Sequence, residues 1–414
     1  MTWPAYTEYK ESDVEWIGAI PCDWSVRPLR YICDVQTGDR DTVHRVDDGE
    51  YPFFIRSENV QRIDTWSMDG EAVLTPGDGA VGQVFHYYVG KFDYHQRVYA
   101  FFNFRAVSGR YFYYYLSALF AKVALDGSAK TTVDSLRMPL IKGFMIAHPG
   151  LLAQEQIVRF LDRETAKIDA LIDKQEQLIA TLREDRAATI NEAVTRGIDP
   201  HVELVDSNVR WLREIPAHWD VISSRRFFKE RKQRARSDAD QLTASQKYGV
   251  IPQKDFVERE GVRVTQVLLN PEILKQVEAG DFVISMRSFQ GGIEFSEFSG
   301  AISSAYVPLV PSSVLAPEFY RHVFKSAGYI QALQSTSNLV RDGQALRFEN
   351  FSMVPLPCPP RAEQHGIATH LDRRCAQIDA LISKSTEMIE TLREYRSALI
   401  TNAVTGKIDV REAV

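Results

Sequence analysis

A Trp-rich phrase occurs twice in this chain of 414 residues, and it constrains the fold more than any other feature. Residues 16–26 read WIGAIPCDWSV and residues 211–221 read WLREIPAHWDV, so two tryptophans, an Ile-Pro pair and a valine keep their spacing. These two phrases hold four of the six tryptophans in the chain. A repeat of this kind indicates a tandem duplication, and a duplication determines the architecture before any local pattern does.

A second repeated segment follows each phrase at a distance. The segments that begin at Ile157 and Ile367 share 24 of 43 residues at a constant offset of 210, whereas the Trp phrases are offset by 195. The second copy therefore contains about fifteen more residues between the two signals. Each half is a divergent body followed by a closely matched tail. The predicted domains are the bodies 1–150 and 198–356 and the tails 151–197 and 357–414.

Both tails have the pattern of a long helix. Their apolar residues recur at steps of three, four and seven, which places them on one stripe. Proline precedes each tail, and Gly197 and Gly406 follow as helix-ending residues. Neither helix would be stable alone with its stripe in water, so we predict that the two pack as a coiled coil. Only about sixteen residues separate the end of the first helix from the second Trp phrase. In an antiparallel pair the end of the first helix lies beside the start of the second, so this short link has little distance to cover. We therefore predict an antiparallel pair.

The bodies contain short β-prone runs that alternate with helical patches. Examples are GEYPFFIRSENV at 49–60 and PEFYRHVFKSAGYIQAL at 317–333. The predicted fold class is therefore α+β or α/β multidomain: two globular domains, two long antiparallel coiled-coil helices between them, and pseudo-two-fold symmetry from the duplication. A helical hairpin in an ordinary core would give the same periodicity in the tails. It would not explain why the tails stayed alike while the bodies diverged.

The composition is that of an ordinary globular protein, with 44% hydrophobic and 25% charged residues. No apolar run is as long as a membrane span, and the N-terminal residues are too polar for a signal peptide. The four cysteines lie far apart and predict reduced thiols rather than a zinc site or disulfides. These features predict a cytoplasmic protein. The net charge of −6 permits a local basic surface but not a uniformly basic one.

The order of these signals resembles the specificity (S) subunit of type I restriction–modification enzymes. The resemblance rests on a Trp-x₃-Ile-Pro-x₂-Trp entrance, a Leu-Arg exit at 136–137 and 346–347, and an LD…IDALI…TLRE helix, each present twice. Residues 280–306 also resemble the target-recognition domains of that family. The similarity extends over essentially the whole chain, and the helices are its strongest motif.

The resemblance implies a protein that reads double-stranded DNA and does not catalyse a reaction. Each target-recognition domain would read one half of an asymmetric bipartite site, and the helices would set the gap. The helices would also dock two modification (methyltransferase) subunits, and restriction (endonuclease/translocase) subunits would join that assembly. S-adenosylmethionine, ATP and Mg are expected on the partner subunits and no cofactor on this chain. The candidate docking residues on the helices are Ile168, Leu171, Leu182, Ile378, Leu381 and Leu392.

The candidate DNA contacts are polar or basic residues in predicted loops, at strand ends or in the most basic run of the chain. In the first body they are Arg56, Ser57, Asn59, Lys91, Gln96, Arg97, Lys130 and Thr131. In the second body they are Arg225, Arg226, Lys229, Arg231, Arg287, Ser288, Gln290, Gly291, Arg341 and Gln344. A solvated face would explain the basic run at 225–236 as well, and a structural hairpin would explain residues 286–292.

Motifs for catalysis are missing from the sequence. It contains no phosphate-binding G-x₄-G-K-[ST] loop, no Asn-Pro-Pro-[Tyr/Phe] tetrapeptide of amino-methyltransferases and no set of residues with metal-ligand spacing. The glycine-rich stretch 77–82 lacks the βαβ context of a nucleotide site. Two other functions remain open at this stage: a coiled-coil scaffold whose globular ends bind proteins, and an enzyme that acts alone on DNA. DNA binding through phosphates weakens steeply with salt, which distinguishes it from a scaffold.

Overall fold

The computed structural model describes residues 3–124, 138–236, 238–261, 273–285, 288–336 and 346–411. The chain divides into two compact units. Unit 1 comprises Met1–Glu176 and Thr386–Val414, and unit 2 comprises Gln177–Ser385. Each unit therefore contains one body together with parts of both long helices.

The first body is built on strands, with one amphipathic helix against them. Its strands are β1 (Tyr9–Glu11), β2 (Ala19–Pro21), β3 (Ser25–Pro28), β4 (Asp34–Thr37), β5 (Tyr51–Phe54), β6 (Gln61–Ile63), β7 (Met68–Pro76), β8 (His86–Tyr94), β9 (Val98–Phe102) and β10 (Met145–His148). Its helices are α1 (Gly109–Ala124) and α2 (Met138–Gly143), and the long helix α3 (Leu151–Arg196) follows. Short 3₁₀ turns lie at Leu29–Tyr31 and Thr42–His44.

Within the described residues, the main sheet of unit 1 has the order β4-β9-β7-β8-β5-β6. Its pairs are antiparallel except for β5 with β8, which is parallel. Strand β7 lies between β8 and β9, and Val98 at the start of β9 pairs with Pro76 at the end of β7. The aromatic face of α1 is buried at Tyr111, Phe112 and Tyr115, which gives the sheet its apolar cover.

The second body has a different arrangement of strands. They are β11 (Leu204–Asp206), β12 (Glu214–Pro216), β13 (Asp220–Ser223), β14 (Phe228–Glu230), β15 (Leu242–Ser245), β16 (Gly249–Pro252), β17 (Lys275–Val277), β18 (Phe282–Ile284), β19 (Glu294–Phe295), β20 (Gly300–Ile302), β21 (Val307–Pro311) and β22 (Pro355–Cys358). The helices are α4 (Ser224–Phe227), α5 (Gln253–Glu260), α6 (Ser288–Gly291), α7 (Pro317–Val323), α8 (Ala327–Ser335), α9 (Phe348–Ser352) and α10 (Arg361–Val404). The largest sheet in the described part of unit 2 has four strands in the order β14-β21-β18-β19.

The two bodies share the way in which the chain enters and leaves them. In unit 1, β3 pairs with β10 antiparallel, and in unit 2, β13 pairs with β22 in the same way. A glutamine in the first turn of each long helix makes equivalent bonds. Gln154 accepts from the Ser108 N–H and donates to the Pro149 carbonyl, while Gln364 accepts from the Ala316 N–H and donates to the Pro359 carbonyl. The duplication therefore preserved the entrance and exit strands of each body and its junction with the long helix, which together we call the frame. It did not preserve the strands in the interior of each body.

Each Trp phrase packs beside the end of a long helix. Trp24 is buried in unit 1 and lies against Gly406, whose φ is +69° and whose missing Cβ would meet the Pro21 ring. In unit 2, Trp219 is buried beside Gly197, whose φ is +77°. Both glycines adopt the left-handed conformation that ends a helix at low cost only for glycine. The first tryptophan of each phrase, Trp16 or Trp211, is only partly buried.

The helices are antiparallel in both units. In unit 1, the Tyr111 hydroxyl oxygen lies 3.0 Å from the carbonyl oxygens of both Ala147, just before α3, and Val404, at the end of α10. In unit 2, Trp219, which packs beside Gly197 just after α3, donates from Nε1 to Oε1 of Glu363 in the first turn of α10 at 3.0 Å. The predicted fold class, with two antiparallel long helices, is confirmed. The described part of the chain contains no helix long and apolar enough to cross a membrane.

Buried histidines should make the stability of this fold depend on pH. Burial lowers the pKa values of His86, His95, His148 and His322 below the ordinary value. As the pH falls through about 6.5, the unfolded chain takes up protons that the folded chain does not, so the free energy of unfolding falls. We expect a lower urea midpoint at about pH 6 than at about pH 8. The dependence should shrink in His148→Gln and not in the exposed His201→Gln, and equal slopes in all three proteins would contradict this account.

Candidate nucleic-acid interface

A tight turn between β8 and β9 carries two of the predicted DNA contacts, Gln96 and Arg97. The first residue after the turn, Val98, pairs with Pro76 at the end of β7, so Arg97 lies next to the segment that follows β7. The backbone of the turn is fixed: the Gln96 N–H donates to the Arg40 carbonyl, and the Val98 N–H donates to the His95 carbonyl. The Arg97 N–H donates to Nδ1 of the buried His95 at 3.0 Å. This bond requires the neutral imidazole, and burial keeps its pKa low.

Asp78 joins Arg97 to another predicted contact, Arg56. Nη1 of Arg56 lies 3.0 Å from Oδ1 of Asp78, and Nη1 of Arg97 lies 2.6 Å from Oδ2. The carboxylate is 12% exposed, whereas the two arginine side chains are 44% and 60% exposed. Burial alone would raise the pKa of Asp78, but hydrogen bonds from Arg97 and Arg56 and their charges bring it below its ordinary value. Asp78 therefore stays ionised, and its carboxylate is shared by two arginine cations.

The neighbouring side chains complete a polar surface, which we call the arginine pair site: Asp41, Arg56, Asp78, Gln96 and Arg97. Nε2 of Gln96 donates to Oδ2 of Asp41 at 2.8 Å. A cleft of about 340 Å³ lies beside the site and is lined by Thr42, Ile55, Arg56, Ser57, Asp78, Gly79 and Ala80. The Ser57 hydroxyl donates to the Asn59 carbonyl at 3.1 Å, so both of these predicted contacts belong to the same loop.

The remaining predicted contacts of the first body lie apart from this site or outside the description. Lys91 is on β8 opposite Asp69, and its ammonium lies 4.7 Å above the Trp66 ring. Lys130 and Thr131 lie outside the described residues. Sequence reasoning missed Asp41 and Asp78 as members of the site. An acid between two glycines directly after a β-prone run was the available signal for Asp78.

In the second body, the structure assigns internal contacts to two of the predicted residues. Arg231 makes a bidentate ion pair with Asp281 at 2.7 and 2.9 Å, and the side chains are 19% and 3% exposed. Ser288 is fully buried, and its hydroxyl accepts from the Ser285 N–H at 2.8 Å. Ser288 is inaccessible to solvent and the Arg231 guanidinium is held by Asp281, so in this conformation both stabilise the domain.

Lys325 holds the turn that contains Gln290 and Gly291. The ammonium of Lys325 donates to the Gly291 carbonyl at 2.9 Å and to Glu294 at 2.7 Å. Burial raises the pKa of Glu294. Gln290 is exposed on this supported turn. The prediction that the turn faces DNA stays a prediction, because its neighbour Arg287 lies outside the described residues, as do Arg341 and Gln344.

Three predicted contacts from the basic run are exposed. Arg225 and Arg226 lie on α4, and Lys229 lies on β14 at the edge of the four-stranded sheet. This exposure fits a phosphate-contacting edge and a solvated face equally well. The described residues contain no group of His, Cys, Asp or Glu that could hold a metal ion.

The six candidate docking residues on the helices fall into three classes of exposure. Ile168 and Ile378 are buried, whereas Leu171 and Leu381 are 47% and 50% exposed. Leu182 and Leu392 are intermediate. In these three pairs, residues separated by the repeat offset of 210 thus fall in the same class of exposure in both helices. Only the exposed and intermediate leucines are available to a partner, while the isoleucines belong to the core.

Comparisons with known proteins agree on the class of this molecule. Residues 21–180 match the family described as the type I restriction modification DNA specificity domain. The specificity subunit of the type I restriction enzyme EcoDI of Escherichia coli is 22% identical, over 94% of this chain and 90% of that protein. The putative MjaX specificity subunit of Methanocaldococcus jannaschii is 23% identical, over 97% and 98%.

Solved structures show the same fold at low sequence identity. A chain solved in a study of complex assembly and conformational transition of the type I R-M system has a TM-score of 0.59, with 14% identity over 93% of this chain and 98% of that one. The HsdS subunit from Thermoanaerobacter tengcongensis has a TM-score of 0.50. Together with the repeated frame, these likenesses describe a duplicated protein in which residues 21–180 match a DNA specificity domain. The chain is similar to the specificity subunits of type I restriction–modification systems, and the resemblance predicted from its sequence is confirmed.

Proposed function

We propose that this chain gives a type I restriction–modification enzyme its DNA sequence specificity, with one body reading each half of an asymmetric bipartite site. The observation that carries the proposal is the contrast between frame and interior. Both bodies enter and leave through equivalent strand pairs, yet among the described residues the largest sheet of one has six strands and that of the other has four. Unlike readers on a duplicated frame recognise unlike sequences.

The long helices have a separate part in this proposal. They run through both units, so they fix the number of base pairs between the two half-sites. Their exposed leucines recur at the repeat offset, and each would contact one of two modification subunits. Restriction subunits would bind the resulting complex. Uniform helices beside divergent bodies suit such a protein, because DNA specificity varies while subunit docking stays the same.

The chain itself has no catalytic role in the proposal. Methyl transfer would use S-adenosylmethionine on the modification subunits, and cleavage would use ATP and Mg on the restriction subunits. What this chain supplies is binding and register on DNA. Since its substrate is cellular or invading DNA, we place its site of action in the cytoplasm.

The experiment that tests the proposal is genome-wide mapping of methylated bases in a methylation-deficient host that expresses this chain with its modification subunit. The expected result is one bipartite motif with a fixed gap. Exchange of residues 206–356 for the corresponding body of a relative should change one half of the motif and leave the other unchanged. Co-purification of the subunits with no methylated motif, and complex formation insensitive to salt, would instead favour a protein-binding scaffold.

A further inference from the structure

We propose that Arg56 and Arg97, held side by side by Asp78, read guanine in the half-site bound by unit 1. The inference rests on the proposed function and adds to it the identity of a base. It also assigns Asp78 as a positioning residue, which acts through the two arginines and does not itself contact the base.

Asp78 binds the arginines in a way that leaves one N–H edge of each guanidinium group available to contact a base. Each guanidinium gives only its Nη1 to the carboxylate, one to each oxygen. The edge formed by Nε and Nη2 makes no bond to Asp78. That edge presents two parallel N–H donors, which match the O6 and N7 acceptors of guanine in the major groove. Both side chains keep large exposed fractions, as a base contact requires.

The carboxylate also removes freedom that the arginines would otherwise lose on binding. A free arginine side chain carries about 2 kcal/mol of rotamer entropy. Asp78 is itself held in place, because the Gly77 N–H donates to the Arg97 carbonyl at 2.8 Å. The fixed turn at His95–Val98 supports Arg97 from the other side. Phosphate binding tolerates a mobile cation, whereas base reading depends on a fixed fork.

The stoichiometry at Asp78 differs from that of an ordinary surface ion pair. Two guanidinium groups share one carboxylate, so these three side chains carry one net positive charge, which the Asp41 carboxylate balances within the arginine pair site. The chain offers a matched comparison in Arg105, which lies 2.8 Å from Asp34 in a one-to-one pair. Asp34 is 41% exposed and also accepts from Asn103, so it anchors a surface loop and not a pair of cations. Asp34→Asn is therefore the control for Asp78→Asn, and Arg105→Lys the control for Arg97→Lys.

The test uses the complete methyltransferase complex and begins from its methylation motif. Exchange of residues 206–356 identifies the half read by unit 1, and we expect a G·C pair in it. Binding is then measured on duplexes that carry each of the four base pairs at that position. Arg97→Lys keeps the charge but loses the fork, so discrimination at that position should fall by about tenfold or more. Asp78→Asn should lose discrimination at the same position without weaker binding to non-specific DNA, because it removes a negative charge.

The results that would overturn the inference are distinct from failure of the proposed function. A motif whose unit 1 half has no G·C pair would refute guanine reading. So would equal loss of affinity for all four base pairs in Arg97→Lys, which is the signature of a phosphate contact. An unchanged second half of the motif shows that a variant complex is folded and bound, and Arg56→Lys provides an independent variant. Absence of any motif in the unmodified protein would contradict the proposed function itself.

Discussion

Phe228→Ala is expected to reduce the free energy of unfolding of unit 2 by about 3–5 kcal/mol. The Phe228 ring is fully buried and touches four other aromatic side chains. Its centroid lies 5.4–5.9 Å from those of Phe282, Tyr320, Phe324 and Phe351. Truncation to a methyl group removes edge-to-face contacts and leaves a cavity between elements that are far apart in sequence, so relaxation can fill little of it.

Hydrogen exchange measured by mass spectrometry locates this loss. Peptides of the second body should lose protection in Phe228→Ala, while peptides of 51–102 keep theirs. The control is Phe298→Ala, because that side chain is 39% exposed and its removal should cost less than about 1 kcal/mol. Equal loss of protection in both bodies, or none in either, would show that this aromatic cluster does not stabilise unit 2 in particular.

Substitution of Leu171 and Leu381 by glutamate is expected to abolish binding of the modification subunits. The two leucines are equivalent under the repeat offset, and each is about half exposed on a long helix. A buried charge at the centre of an apolar contact costs at least about 2 kcal/mol, which is about a 30-fold loss of affinity. Glutamate is a good helix former, so the helices themselves should persist.

Native mass spectrometry of the assembled complex gives the stoichiometry directly. Leu171→Glu or Leu381→Glu alone should leave one modification subunit bound, and the double substitution should leave none. Val314→Glu is the matched control, because Val314 is 53% exposed but lies in a loop of unit 2. Retention of two modification subunits by the double variant would place docking elsewhere on the chain.

The sequence alone was sufficient for the architecture. Helical periodicity is a local signal, and two near-identical tails implied that the stripes pack on each other. The length of the link between the first tail and the second Trp phrase was enough to predict an antiparallel pair. The repeated entrance and exit motifs were enough to predict the similarity to specificity subunits. These features follow from neighbouring residues or from comparison of the chain with itself, so they needed no coordinates.

The candidate site depended on long-range pairing that no local pattern reveals. Arg56 and Arg97 meet at Asp78 because the start of β9 pairs with the end of β7 and because β5 ends beside the turn that precedes β9. This strand order and register could not be predicted from the runs of β-prone residues. Arg231 was predicted to contact DNA from the charge of its neighbours, but Asp281 pairs with it inside the domain.

The helices show the same division between sequence and tertiary structure. Ile168 and Leu171 belong to one apolar stripe in the sequence, yet the first is buried and the second is about half exposed. The stripe is determined by the sequence, because its period is that of the helix. Which of its edges faces a neighbour depends on how each helix is rotated about its axis. That rotation is set by packing against residues far away in the chain, so only the tertiary structure could decide it.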